Sequence, residues 1–548
     1  MKKAFVLLAV LFCVAAFCAE PIMRVGIFTD THVTGKKRSC RLLKESLILF
    51  KQHNVDMIVN VGDISNIYEE PAYKNYRNTV NAVYGSNAPR EIFVFANHDR
   101  MAREKESVWE VFKDVKKHLE CKNEPYDEIK YKGYTFLVIP QFVDRAKYIA
   151  MLDKAVKENP GKPIFVLDHV PAFDTVFNSK TWGESRRRQI LNRYPQVVQI
   201  SGHVHGTLTN ELNIWQGEFT AVNAGCLQYW GGELVGNEPE NKMSDMVLIL
   251  EVYPEKLLFR RYFSTTKEEY GVDTPWLIPL PFDAKTAPYT IARRKAASPA
   301  PDFAKDASIE VKCGKRDVKI SYPSVNEAFT YKIELFRQDK GEWKRFVRKD
   351  FISEFMLPVA KRAAKLTKSF DIGYFEAGNK YQVKITPVNF FGKEGKSVSG
   401  SFDVASRHAD TVVFESKNPM KDCKFMSELA GGKPFKLDKD GYYIHDSHNG
   451  RLEFPANVWE GKRGTKFRFT IEMQTIQPTN KNWTLCLRNP TPMQNANNRI
   501  STDMGDSGVQ RYVITFAKQR DLYNYYFLIR EGGKGKIRFD YVKIERID

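Results

Sequence analysis

The stretch Val25-Gly26-Ile27-Phe28-Thr29-Asp30-Thr31-His32 decides how the first half of the chain is read. Val25, Ile27 and Phe28 lack helical spacing and read as a buried strand. That strand ends in Asp-x-His. An acid and an imidazole two residues apart, just past a strand end, can turn toward one point, and a hard oxygen beside a borderline nitrogen suits a divalent transition metal. Asp-x-His alone is a weak signal, so its weight depends on whether other strand ends deliver further ligands.

They do. Apolar strand-like runs recur at Asp56–Val61, Glu91–Ala96, Tyr134–Pro140, Pro163–Leu167, Val197–Ser201, Phe219–Asn223 and Met246–Val252, and Arg41–His53 has apolar residues at helical spacing. Strands alternating with helices predict an α/β layered domain, whose site lies at the carboxyl ends of its strands. Those ends carry Asp30 and His32, then Gly62-Asp63, Asn97-His98-Asp99, His169, and Gly202-His203-Val204-His205. Five of the chain's ten histidines fall in these turns. Singly, each reads better as a packed or solvated side chain or a plain turn; five such turns in series do not. Setting His98 aside, seven candidate ligands suit two metals with positions left open for water and substrate, a catalytic arrangement.

In their order and placement these motifs resemble the calcineurin-like metallophosphoesterase family: Asp-x-His, Gly-Asp, Asn-His-Asp, a lone His, and Gly-His-x-His. The resemblance implies an αββα four-layer sandwich and a dinuclear centre of divalent ions, with Mn, Fe, Zn and Ni all compatible with the mixed nitrogen and oxygen set. It implies that Asp30, His32 and His205 hold one ion, that Asn97, His169 and His203 hold the other, and that Asp63 bridges them. His98 would be catalytic, donating a proton to the leaving oxygen, with Asp99 orienting its imidazole, while a metal-bound hydroxide attacks phosphorus. Ala96 stands where the family has glycine, a small change expected to be tolerated. Asn66 stands where many members have a second aspartate. Gly62-Asp63-Ile64-Ser65-Asn66 lacks the tyrosine ligand of the purple acid phosphatase branch.

The 548 residues exceed one core and suggest several domains. Lys2 and Lys3 followed by an apolar run to Ala19 have the layout of a secretory signal over 1–19, placing the protein outside the cytoplasm: secreted, periplasmic or at the cell surface. No later run is long enough to span a membrane. The net charge of +18, from 84 basic and 66 acidic residues, favours anionic partners. The lysines are scattered, Arg186-Arg187-Arg188 reads as a solvated helix face, and no specific nucleic-acid-binding motif stands out. Six cysteines beyond the signal are far apart, with no Cys-x-x-Cys, which excludes zinc ribbons and disulfide-dense scaffolds and leaves one or two bridges open. His53, Tyr68, Tyr73, Tyr76, Phe173, Trp182, Arg186 and Tyr229-Trp230 lie in connecting stretches where aromatics could stack a base or sugar and the arginine could hold a second phosphate.

The phosphoesterase-like region is read as 21–283, followed by a proline-containing linker or wrapping arm at 284–303. From 304 to 405 the alternation changes to period two, with strands at Ser308–Lys312, Val318–Tyr322 and Tyr331–Phe336, and a short helical turn or polar loop at Ala360–Lys365. The run 377–392 resembles the later strands of a fibronectin type III domain, with Tyr381 as its corner tyrosine and Tyr322 in place of the expected tryptophan. From 408 to 548 eight short alternating strands predict a β-sandwich or jelly roll, whose last strand resembles galactose-binding-like modules. Trp459, Trp483, Tyr523, Tyr525 and Tyr526 are candidates for a sugar platform, though core packing is the more frequent role of such residues, and His445-Asp446-Ser447-His448 is a candidate for a further metal, though histidines in a polar turn more often face water. The chain therefore reads as a secreted phosphoesterase acting on mono- or diesters, with β-sandwiches that contact glycan or cell envelope. The rival reading is a glycan-binding or cell-surface protein whose phosphoesterase domain is secondary or inactive.

Overall fold

The computed structural model describes residues 20–229, 245–427, 443–445, 450–475, 483–488, 499–502, 508–518, 526–530 and 535–547. The expected signal segment and Trp230 lie outside the described residues.

The first domain is built on two sheets. One contains β1 (Met23–Phe28), β2 (Met57–Asn60) and β3 (Arg90–Phe93) in parallel. The other contains β4 (Asp127–Tyr131), β5 (Tyr134–Ile139), β6 (Ile164–Asp168), β7 (Val197–Ser201), β8 (Ile214–Gln216) and β9 (Thr220–Asn223). The chain then returns to the first sheet with β10 (Met246–Val252), β11 (Lys256–Phe263), β12 (Glu269–Tyr270) and β13 (Trp276–Pro279). The strand orders are β12-β11-β10-β1-β2-β3, with β13 also paired to β11, and β4-β5-β6-β7-β9-β8. Val25, Val59, Phe136, Phe165, Ile200 and Leu248 meet between the sheets as one apolar layer. Outside it, the helices Arg41–Gln52, Glu70–Tyr84 and Val108–Leu119 cover the first sheet with Leu47, Phe50, Tyr73 and Phe112. Tyr148, Leu152 and Ile190, from the helices Arg145–Glu158 and Ser185–Leu191, cover the second. The four layers are therefore helix, sheet, sheet, helix. Each large apolar side chain buried this way contributes roughly 1.5–3 kcal/mol. The central strands β1, β2, β5, β6, β7, β9 and β10, covered on both faces, are continuous apolar runs and legible in the sequence; the outer strands β4, β8, β11, β12 and β13 are not among the runs read there.

The 284–303 segment is an arm rather than a free linker. Its helix Ile291–Ala297 lies against the first domain, where Arg294 pairs with Glu211, and just before it the Gln216 amide donates to the Tyr289 carbonyl at 3.1 Å. The second domain packs the three-stranded sheet β14 (Glu310–Cys313), β15 (Asp317–Pro323), β18 (Lys365–Asp371) on a four-stranded sheet. The latter has β17 (Glu342–Ile352), β16 (Thr330–Asp339), β19 (Lys380–Val388) and β20 (Val398–Asp403) in that order. β17 and β18 were not legible in the sequence, because charged residues interrupt their alternation. The Tyr381 hydroxyl accepts the Glu376 amide at 2.7 Å, five residues upstream, and Tyr322 is buried edge-on to Tyr331.

In the third domain the strands expected from alternation are present, arranged in two facing sheets. Trp459 does not belong to a sugar platform: it is 1% exposed and packs edge-on to Phe467 in the core. Tyr523, Tyr525 and the side chains of Trp483 and Tyr526 lie outside the description, as do the His445 side chain and residues 446–448. Ion pairs join the second and third domains, among them Arg511–Glu376 at 3.1 Å, Arg337–Glu472 at 3.0 Å and Arg468–Asp371 at 2.5 Å. Among the described residues, Cys40, Cys121, Cys226, Cys313 and Cys423 are free thiols, and no helix is long and apolar enough to cross a membrane.

Candidate metal centre

The five motifs meet at the carboxyl ends of β1, β2, β3, β6 and β7, so strands from both sheets supply one site. Ligand atoms of Asp30, His32, Asp63 and His205 lie within 4.8 Å of one another, as do those of Asp63, His169 and His203. Asp63 belongs to both groups, as expected of a bridging carboxylate.

Each acid is tethered through one oxygen and presents the other. Asp30 Oδ2 accepts from the Thr29 hydroxyl at 2.8 Å and the His203 amide at 3.0 Å, and Asp63 Oδ1 accepts from the His98 amide at 3.0 Å. Asp30 Oδ1, His32 Nδ1, Asp63 Oδ2, Asn97 Oδ1 and His169 Nε2 are buried without a well-formed hydrogen bond; they face one another, with His205 Nε2 3.0 Å from Asp30 Oδ1 and His169 Nε2 3.1 Å from Asp63 Oδ2. Buried polar atoms are normally paired, so five such atoms on five of the seven expected ligands mark a place prepared for cations. The residues fit the group that the sequence implies. His169 Nδ1 donates to the Val61 carbonyl at 2.7 Å, which fixes the tautomer with Nε2 free to ligate.

The backbone is bent to this end. Asp30, His32, Asp63, His203 and His205 all adopt positive φ between 39° and 69°, a region non-glycine residues enter at a cost of order 1–3 kcal/mol and which clusters at functional sites. Two glycines make room. A Cβ at Gly62, itself at φ 105°, would lie 2.6 Å from His169 Nδ1 and 2.9 Å from the Ala96 methyl; one at Gly202 would lie 2.0 Å from Thr29 Oγ1. Ala96 is thus tolerated because the facing residue is glycine.

Charge is finely balanced here. Burial presses on every group. The facing histidines nevertheless hold Asp30 well below the usual carboxylate range, and Asp63 is also lowered, chiefly by His169. Burial pushes His169 down, but Asp63 and Asp30 outweigh it and hold it at about 9; burial and the nearby His169 charge take His203 down to about 4. Cations binding here would displace protons from histidine.

His98 is half-buried and edge-on to His32, with ring centroids 4.7 Å apart, and its Nε2 lies 4.0 Å from Asp63 Oδ2. The expectation that Asp99 orients it is corrected. Asp99 Oδ1 accepts the Ile64 and Ser65 amides at 3.1 and 3.2 Å and Oδ2 the Ala96 amide at 3.2 Å, so its carboxylate ties the second and third motifs together. Burial, then the Asp63 charge, push it up to about 7. The imidazole is oriented by the Asn66 carbonyl, which accepts from Nδ1 at 2.6 Å.

Other positioning groups carried no signal in the sequence. Gln141 Oε1 accepts the Asn97 amide at 2.7 Å, and the Gln141 carbonyl accepts from Arg187 at 2.8 Å. Arg187 pairs with buried Asp168, the residue before His169, at 2.6 Å. The arginine triplet is therefore not a solvated face: Arg187 is buried, Arg188 lies over the Trp215 ring at 4.2 Å, and only Arg186 is exposed. Of the aromatic candidates, Tyr73 and Tyr76 are core, and His53 packs on Tyr262. Trp182 and Tyr229 touch the site: Trp182 lies edge-on to His203 at 6.0 Å, and Tyr229 is 4.5 Å from His205.

Residues 23–207 match the model of the calcineurin-like phosphoesterase family, which identifies the first domain as a calcineurin-like phosphoesterase domain. Among solved structures, purple acid phosphatase PPD1 from yellow lupin (Lupinus luteus) seeds is 12% identical over 47% of this chain, with a TM-score of 0.32; the chain spans 53% of that protein. The C-terminal CBM6 of LamC, a marine laminarinase from Zobellia galactanivorans, is 8% identical over 25% of this chain and 93% of its own, at 0.16. A Family 16 Carbohydrate Binding Module-2 is 8% identical over 22% and 84%, at 0.15. No curated protein matches the chain.

Proposed function

We propose that the protein is a secreted dinuclear-metal phosphoesterase that hydrolyses phosphate mono- or diesters. The observation that carries this reading is the pair of overlapping ligand groups sharing Asp63, lined by buried orphan atoms, inside a calcineurin-like phosphoesterase domain. Asp30, His32 and His205 would hold one divalent ion, Asn97, His169 and His203 the other, and Asp63 both; Mn, Fe, Zn and Ni suit this donor set. The ions supply Lewis acidity to the phosphoryl group and an activated water.

The chain's own residues do the rest. The bent backbone and the tethered carboxylate oxygens hold the ligands in place before substrate arrives. His98, with Nδ1 donating to the Asn66 carbonyl, presents Nε2 beside Asp63, where a proton can pass to the leaving oxygen. Secretion rests on the charged and apolar layout of residues 2–19. The second domain is read as fibronectin type III-like on its three-plus-four sheets and the Tyr381 corner. The third is read as a jelly-roll module that contacts glycan or cell envelope.

The test is hydrolysis of 4-nitrophenyl phosphate and bis(4-nitrophenyl) phosphate by the purified mature chain, with added Mn(II) or Zn(II), with chelator, and with Asp63→Ala as blank. Chelator-sensitive cleavage above the blank is expected. Equal rates from wild type and blank would refute the reading.

A further inference from the structure

Trp182 and Tyr229 are large, and exposed where most side chains of their kind are buried: 55% and 38%. Each stands against a different part of the site. Tyr229 lies 4.5 Å from His205 and 5.1 Å from His32, both of the first ligand group, while Trp182 lies 6.0 Å from His203, of the second. Resting on the phosphoesterase reading, we propose that these two rings flank the mouth of the centre and select phosphoesters whose organic group is flat and aromatic, such as an aryl or nucleoside ester.

The segments that carry the rings are held, not loose. The loop after His169 is closed at its base, where Ala172 bridges Glu184 and the Glu184 amide donates to the Pro171 carbonyl at 3.0 Å. Its far side is pinned by Phe177, edge-on to Phe329 of the second domain at 6.0 Å, and by the Phe177 amide donating to the Leu212 carbonyl at 2.9 Å. The Trp182 amide donates to the Asn178 carbonyl at 3.1 Å. On the other side, the Leu227 amide donates to the Thr29 carbonyl at 3.2 Å and the Gln228 amide group to the Ser39 carbonyl at 2.8 Å. Two exposed aromatic faces pre-positioned beside the phosphoryl site offer stacking at little conformational cost. A planar group gains from that stacking and a small alkyl group does not. The second domain takes part by fixing the loop that carries Trp182.

The test is calorimetric binding of phenylphosphonate and methylphosphonate, neither of which is hydrolysed, to the full mature chain loaded with Mn(II). Phenylphosphonate should bind about tenfold tighter or better. The ratio should fall to within about twofold in Trp182→Ala and recover in Trp182→Phe, with bound Mn unchanged by elemental analysis. Equal affinities in the wild type, or a ratio unmoved by Trp182→Ala, would overturn the proposal and leave the phosphoesterase reading standing. Loss of Mn with the ratio retained would make Trp182 a support for His203 and likewise overturn it. If neither phosphonate binds the Mn-loaded chain, the phosphoesterase reading falls as well.

Discussion

Replacing Arg187 by methionine removes the partner of a carboxylate that has nowhere to go. Asp168 is 0% exposed and Arg187 2%, with Nε to Oδ2 at 2.6 Å. Deleting one member of such a pair leaves an uncompensated buried charge and costs about 3–5 kcal/mol. For a unit the size of the first domain, about 2–4 °C of melting temperature per kcal/mol gives a drop of about 6–20 °C. Asp168 already has a raised pKa, because burial outweighs Arg187, and removing the arginine pushes it further up. Removing both charges, as Asp168→Asn with Arg187→Met, should recover most of the loss, since replacing a whole buried pair by neutral groups is often nearly neutral. Calorimetry on the wild type and these two variants, with chelator present, measures this. If Arg187→Met melts within about 2 °C of wild type, or if the double variant is no better than the single, the pair does not carry the energy assigned to it.

Three further outcomes are expected. His98→Ala should keep both ions by elemental analysis and lose about 10²–10⁴-fold in turnover on a poor leaving group. Gly202→Ala drives a methyl into Thr29 Oγ1 and to 2.6 Å from Asp30 Oδ2; overpacking of about 1–3 kcal/mol should appear as weaker metal binding by at least about fivefold, read by chelator competition. In the contact between the second and third domains, burial pushes Asp410 and Glu545 up, but Arg468 beside the first and Arg407 beside the second outweigh it and lower both. Carboxylates lowered on folding give stability that is full above about pH 4 and fades as pH falls through the depressed values, so calorimetry should find a C-terminal transition that weakens on acidification below pH 4 and is flat from 5 to 7.

What the sequence made legible follows from where the chemistry sits. Parallel strands buried on both faces are unbroken apolar runs, and their sites lie just past the last apolar residue, so Asp30, Asp63, Asn97, His169 and His203 could be found by reading strand ends. The groups that hold them could not. Gln141 and Arg187 reach the site from other elements, and Asn66 acts through its backbone carbonyl, which any residue would supply. Asp99 sits beside His98 in sequence yet spends its carboxylate on the amides of Ile64, Ser65 and Ala96, because buried backbone donors compete for it. Trp459 stays open between platform and core in the sequence for a similar reason: alternation locates a strand, but the exposure of an aromatic in a turn depends on what packs over it.

The central claim is a two-ion site with Asp63 in common, and the most direct measurement is the metal-to-protein ratio of the purified mature chain after loading with Mn(II) or Zn(II) and removal of excess. The account predicts two ions per chain in the wild type, a loss of both in Asp63→Ala, and retention of one in His203→Ala, whose group leaves Asp30, His32 and His205 intact. One ion or none in the wild type, or two in Asp63→Ala, would contradict it.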